Sequence, residues 1–185
     1  LIMTSKILCV GALTMDTILR LDELPHAAGK YLPREAVEIA AGMASSAAAA
    51  VARLGGKVGL WASAGIDSVG DRAVAELSAE GIDCAYIRRL EGARTAFSSI
   101  LVDANGERII VPFDDRRLAS PADPVPPIAA GTYAAVMTDV RWPWAAETAL
   151  RAARDAGIPA ILDADTAPVE LLETLLPLAT HIVAS

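Results

Sequence analysis

Four residues with useful chemistry, Asp16, Gly42, Arg141 and Asp163, stand at or just after the ends of predicted strands. A carboxylate such as Asp16 accepts hydrogen bonds from hydroxyl groups. A guanidinium such as Arg141 grips a tetrahedral oxyanion through two donors at once. Gly42 opens the stretch Ala41 to Gly56, AGMASSAAAAVARLGG, in which small residues fill a helix and a glycine pair closes it. Glycine takes backbone angles barred to other residues and lets a ligand approach the main chain. Ser45 and Ser46 are placed to cap the helix expected over Ala47 to Leu54. The exposed N-terminus of such a helix carries unpaired N–H donors and partial positive charge, which suits an oxygen-rich ligand. The plainer reading of the same stretch is a tightly packed core helix with ordinary caps.

These residues need elements to position them. Apolar runs at Lys6 to Val10, Lys57 to Ala64, Cys84 to Arg89, Tyr133 to Asp139 and Pro159 to Asp163 read as core strands, with a further strand starting at His181. Helices are expected over Asp71 to Glu80, Pro143 to Ala156 and Pro168 to Leu176, punctuated by Gly81, Pro143 and Gly157. Strand and helix alternating at this spacing predict an α/β fold with a parallel sheet and helices on both faces. Ligands in such sheets bind beyond the carboxyl ends of the strands. Thr14 to Leu21 and Tyr31 to Ile39 alternate as strands outside the main sheet, although Pro33 confines the second to an edge. Ala96 to Val102 and Glu107 to Val111 form a hairpin about an Asn105-Gly106 turn. Asp114 to Pro127 is polar, rich in proline and almost without pattern.

The bulk properties exclude several classes. The chain has 185 residues, 54% of them hydrophobic, and a net charge of −7. No basic face emerges to neutralise phosphates, so nucleic-acid binding is not expected. No run is long and apolar enough for a membrane span, and the mean hydropathy of +0.41 reflects alanine. Lys6 precedes only a short apolar run, so no signal peptide and a cytoplasmic location are expected; Leu1 and Ile2 read as residues upstream of Met3. Cys9 and Cys84 read as free thiols, and His26 and His181 are too scattered for a zinc site. No Gly-x-Gly-x-x-Gly follows the first strand, which disfavours a dinucleotide enzyme.

With these residues in place the chain resembles the ribokinase-like (PfkB) carbohydrate kinases along nearly its whole length. GALTMD, with Asp16, looks like the family's substrate-binding aspartate segment. AGMASSAAAAVARLG looks like its first signature, GIDSVGDRAVAELSAEGID like the turn and helix that follow, and RTAFSSILVDANGERIIV like the lid hairpin. Gly29 to Tyr31, Asp139 to Trp142 and Leu162 to Pro168 are closer to the sulfofructose kinase branch. Three positions depart from the pattern: Ala41 stands in for a glycine, Ser46 for an asparagine, and Pro112 for an asparagine that helps bind the anion in that branch.

The resemblance implies a three-layer ribokinase-like domain, of which residues 1–185 are the N-terminal part, with lid segments at about 14–40 and 94–113. It implies an ATP-dependent kinase phosphorylating a hydroxyl of a ketose, anionic ketose or sugar phosphate. Asp16, Gly42 and Ser46 would bind the sugar, Lys30 and Arg141 its anionic end, and Asp163 and Asp165 would face the phosphate or Mg2+. The catalytic aspartate of the family, in a Gly-Ala-Gly-Asp motif, is expected beyond residue 185. A homodimer through the lid is also implied. The alternative is a non-catalytic sugar-binding or regulatory protein.

Overall fold

A computed structural model describes residues 6–184. Leu1 and Ile2, and with them the upstream reading, lie outside the described residues. The strands are β1 (Lys6–Gly11), β2 (Thr14–Arg20), β3 (Glu35–Ala41), β4 (Val58–Gly65), β5 (Asp83–Leu90), β6 (Ala96–Val102), β7 (Arg108–Phe113), β8 (Tyr133–Thr138), β9 (Ala160–Asp163) and β10 (His181–Val183). The α-helices are α1 (Met43–Arg53), α2 (Ser68–Ala79), α3 (Pro143–Asp155) and α4 (Val169–Leu175).

Six strands form a sheet in the order β10-β9-β8-β1-β4-β5, and every pairing within it is parallel. Parallel strands need crossovers, and the helices supply them on both faces. On one face α1 and α2 cover Cys9, Leu60, Ala62 and Ala64 with Ala44, Ala48, Ala73 and Leu77. On the other, α3 covers Leu8, Val10, Val136 and Leu162 with Ala145, Ala149, Leu150 and Ala153. The successive residues Leu8, Cys9 and Val10 thus fall on alternate faces, as the two-residue repeat of a strand requires. Alanine dominates the sheet-facing sides of α1 and α3, where small side chains let helix and sheet approach closely.

The chain winds outward from β1 through β4 to β5, then returns to the opposite side of β1 and continues through β8, β9 and β10. The order therefore reverses between β1 and β8, and a crevice opens at their carboxyl ends. The second sheet, in the order β3-β2-β6-β7, stands apart as a lid. Phe97 and Phe113 are register partners in it and stack at 5.1 Å between centroids, with the Arg94 guanidinium 5.2–5.4 Å from both rings.

Several expected boundaries move, α2 for one starting at Ser68 and not Asp71, and two have a plain local cause. The strand expected from Tyr31 starts only at Glu35: Pro33 has no N–H to give a ladder, and the Tyr31 hydroxyl turns back to donate to the Ala27 carbonyl at 2.8 Å. The helix expected from Ala47 starts at Met43, and its cap position is Gly42 rather than a serine. The patternless stretch after β7 is ordered by tertiary contacts. Arg88 donates to Ser63 and Ser120 Oγ and to the carbonyls of Arg117, Leu118 and Pro121, while the Trp142 indole N–H donates to the Ser120 carbonyl. Arg88 also lies over the Trp142 ring, and Trp142 packs on Trp61 at 5.4 Å.

Asp67 caps α2 by accepting from the Gly70 N–H at 2.8 Å, and it also accepts from the Thr95 hydroxyl and N–H. Burial pushes its carboxyl up, but the Thr95 and Gly70 donors and nearby Arg89 outweigh that and hold it below its ordinary value. Its contribution is therefore complete above the unfolded-state value near 3.8 and lost as pH falls through the lower folded value. Asp67→Ala should cost about 0.5–2 kcal/mol for the cap, or ~1–8 °C in Tm for a chain of this size. Thermal melts at neutral pH and at decreasing pH below about 4 check this: the wild-type melting temperature should fall more steeply than the variant's. Parallel curves for the two proteins would show that Asp67 is not the group responsible.

Candidate functional site

The crevice between β1 and β8 is organised by a buried residue at its base that lines neither of the cavities near it. Asp139 follows β8 and is 1% exposed. Its Oδ2 accepts from the Ala12 N–H at 2.7 Å and the Ala44 N–H at 3.0 Å, and its Oδ1 accepts from the Arg141 N–H at 2.8 Å. Ala12 belongs to the turn after β1, Ala44 to the first turn of α1, and Arg141 to the turn before α3. One carboxylate thus ties together three chain segments. Gly42 has no side chain to cap α1, so an aspartate from another strand satisfies the orphan donor. Burial pushes the Asp139 carboxyl above its ordinary range, and the three N–H donors and Arg141 act in the opposite sense. Burial, with Asp139 nearby, also pushes the Cys9 thiol up to about 12, so Cys9 is no nucleophile at neutral pH.

Two glycines make this arrangement possible. A Cβ on Gly11 would lie 2.2 Å from the Asp139 carboxylate, and one on Gly42 would lie 2.5 Å from the Ala12 carbonyl oxygen. Gly42 also has φ +103°, which side-chain-bearing residues rarely adopt. Ser45 does not cap α1 as expected from its position. It is fully buried, and its hydroxyl donates to the Ala12 carbonyl at 2.9 Å.

Two cavities are lined by residues next to this junction. One, of about 260 Å3, has Asp16, Ile18, Ile39, Ala41, Ser46 and Arg53 among its lining residues. Asp16 and Ser46 are therefore brought together under the lid, next to the Gly42 turn. Asp16 accepts from the Thr14 hydroxyl at 2.8 Å, and Arg53 is held by Glu80 in a two-point ion pair. The other cavity, of about 220 Å3, is lined by Gly11, Ala12 and Leu13, by Asp114, Asp115 and Arg116 after the lid, and by Arg141 and Trp142. It opens at the carboxyl ends of β1 and β8.

Arg141 lines the second cavity and not the first. Its guanidinium donates to Asp165 at 2.6 Å and to the Thr166 carbonyl at 3.0 Å. Asp163 is close enough to this pair to feel it: burial and Asp165 push its carboxyl up, and Arg141 partly offsets them. Lys30 lies on the exposed loop between β2 and β3, lines neither cavity, and makes no hydrogen bond or ion pair with the described residues. Pro112 sits on the exposed strand β7 opposite Ser98. Sequence reasoning missed Asp139 as an organising group, although its place one residue past a buried strand and two before Arg141 was a signal. It also missed Arg116, which stood in the stretch without pattern.

No group of three or more histidine, cysteine or acidic side chains among the described residues is placed to hold a metal ion. Asp163 and Asp165 supply two carboxylates, one already engaged by Arg141, so by themselves they do not make a magnesium site.

A doubly wound parallel sheet with a separate β lid over its switch point defines a ribokinase-like fold. The family model for pfkB family carbohydrate kinases matches residues 4–185, and the chain belongs to that family. It is 36% identical over 102 residues to an ATP-dependent ribose-1-phosphate kinase from Halopiger xanaduensis, a match covering 55% of this chain and 34% of that protein. Among solved structures it is similar to a protein provisionally described as a ribokinase from Agrobacterium tumefaciens, with 49% identity, a TM-score of 0.93 and coverage of 97% of this chain and 59% of that one. The Arabidopsis thaliana ribokinase solved with ribose and ATP shares the fold at 18% identity, with a TM-score of 0.72, over 97% of this chain and 60% of its own. The chain thus spans about a third of that curated relative's length.

Gly42→Ala places a methyl group against the Ala12 carbonyl at a positive φ. The strain of such a position is of order 1–3 kcal/mol, or ~2–12 °C in Tm. Differential scanning calorimetry checks it, with Gly55→Ala as the comparison, because a Cβ there meets nothing within 4 Å although φ is also positive. Equal losses in the two variants would show that the approach of Ala12 to the α1 mouth is not what makes glycine necessary.

Proposed function

We propose that this chain is the sugar-binding part and lid of an ATP-dependent carbohydrate kinase whose acceptor is a small ketose or sugar carrying an anionic group. The observation that supports this most is the meeting of Asp16 and Ser46 in one cavity between the lid strands β2 and β3 and the helices α1 and α2. In a site of this kind Asp16 accepts hydrogen bonds from sugar hydroxyls. The Ser46 hydroxyl adds a group that both donates and accepts. Gly42, which lines neither cavity, lets the Ala12 turn pack against the start of α1 beside this site. The lid excludes water, so that the phosphoryl group passes to the sugar and not to water.

Arg141 is assigned the anionic end of the sugar. It lines the neighbouring cavity with nearly half of its side chain exposed, and Asp165 holds its guanidinium by an ion pair at 2.6 Å. Lys30, exposed on its loop, is the second cation of this assignment. The phosphoryl donor is ATP, as the name of the Halopiger relative states for that protein. Asp163 and Asp165 face the donor side. The base that takes the proton from the acceptor hydroxyl is assigned outside residues 1–185, in the glycine-rich motif carried over from the family resemblance.

The lid also supports a homodimer as a proposal. Strand β7 ends the lid sheet with an unpaired edge, and Ile109, Ile110, Val111 and Phe113 on it are 37–59% exposed. Pairing with a second copy covers both the edge and the apolar side chains.

A thermal-shift panel tests the substrate assignment, using the protein as its gene encodes it with ribose, fructose, ribose 1-phosphate, fructose 6-phosphate and sulfofructose. An anionic sugar at a hundred times its Kd raises stability by about 2.7 kcal/mol, and the neutral sugars should give smaller shifts. Arg141→Ala should remove most of the difference between anionic and neutral sugars and leave the shift from neutral sugars in place. A response to every anionic sugar that is the same with and without Arg141 would rule out its role, and no response to any of the five would rule out the sugar site.

A further inference from the structure

The proposed site is split between two cavities, and their relative placement needs a cause. The sugar side is built by β2, β3, α1 from Ser46 to Arg53 and the end of α2; the anion side is built by the turns after β1 and β8 and by the segment after β7. Three hydrogen bonds that link the two converge on one carboxylate. Asp139 Oδ2 holds Ala12 and Ala44, and Oδ1 holds the Arg141 main chain. Ala12 is held again from its other end, because its carbonyl accepts from the Ser45 hydroxyl and N–H. Gly11 and Gly42 are the two positions where any side chain would collide with this knot.

We propose that Asp139 is a positioning residue that sets the distance between the sugar-binding mouth of α1 and the Arg141 arm. This rests on the sugar-kinase reading for its consequence, but not for its geometry. The carboxylate touches neither cavity. It acts through the three main-chain N–H groups it receives. All three are donors, so the group they fit is an acceptor at both oxygens. Asparagine in its place keeps the size but presents an NH2 to one of the donors. With Oδ toward Ala12 and Ala44, the NH2 meets the Arg141 N–H, and the anion side loses its anchor. In the opposite orientation the α1 mouth loses it. Either way the two halves of the site are uncoupled while the sheet and its helices remain.

The test compares wild type with Asp139→Asn and with Leu150→Ala, a core truncation in α3 that removes none of the knot's hydrogen bonds. Amide hydrogen exchange without any sugar reads the knot directly. In Asp139→Asn the Arg141 amide, or the Ala12 and Ala44 amides, should exchange about tenfold faster or more, as expected for losing a hydrogen bond to a charged group, and Leu150→Ala should leave them protected relative to its other helices. In steady-state kinetics of the protein as its gene encodes it, with the five panel sugars, Asp139→Asn should raise the sugar KM about tenfold or more and change the ATP KM by no more than about twofold. Unchanged exchange at all three amides overturns the proposal. So does a sugar KM and ATP KM that rise together in Asp139→Asn and in Leu150→Ala alike. If wild type phosphorylates none of the sugars, the kinase reading falls and exchange alone decides the role of Asp139. If Asp139→Asn does not fold, Gly11→Ala displaces the carboxylate without removing its charge, and the same exchange pattern is expected of it.

Discussion

A buried carboxylate with three main-chain donors and, among the described residues, no salt-bridging side chain is the constraint on which this structure turns. It sits where the strand order of the main sheet reverses, the place at which a doubly wound sheet leaves a crevice. Removing a charge from water is costly unless the protein satisfies it. Here the satisfaction comes from N–H groups of three separate turns, so the cost can be met only when all three turns are in place. Gly11 and Gly42 follow from the same requirement, since each must vacate the space that the carboxylate or its bound turn occupies.

The lid and the crevice are joined by a second kind of interaction. The long segment after β7 has no hydrophobic period and no secondary structure beyond one short turn. It is nevertheless held in place, because Arg88 spends its donors on three carbonyls and two hydroxyls and stacks on Trp142. The tryptophan cluster of Trp61, Trp142 and Trp144 beneath it is large, rigid and apolar, a platform on which such a loop can rest. The anion-side cavity owes one wall to this loop, through Arg116, Leu118 and Ala119.

Much of the architecture was legible in the chain. The apolar runs of β1, β4 and β8 lack alternation because both faces are covered, and that pattern belongs to parallel sheets. The lid hairpin announced itself through Asn105-Gly106. The helix at Met43 was legible in kind but misplaced by four residues, because a serine looks like a cap and the cap here comes from a residue 97 positions away in the chain, counting from Gly42 to Asp139. The site was legible in part: Asp16 and Ser46 share a cavity, whereas Arg141 opens on its neighbour and Lys30 on neither.

What the chain determined alone is therefore the set of elements, their class of sheet, and the local chemistry of each candidate residue. These depend on periodicity, turn residues and side-chain type, which are properties of short stretches. What only the tertiary structure decided is who meets whom. Arg141 could have paired with Asp139 beside it in sequence; it instead donates its guanidinium to Asp165 and its main-chain N–H to Asp139. The reason is geometric. Asp139 points inward from the end of a buried strand while the Arg141 side chain points outward from the next turn, and that difference arises from the winding of the sheet.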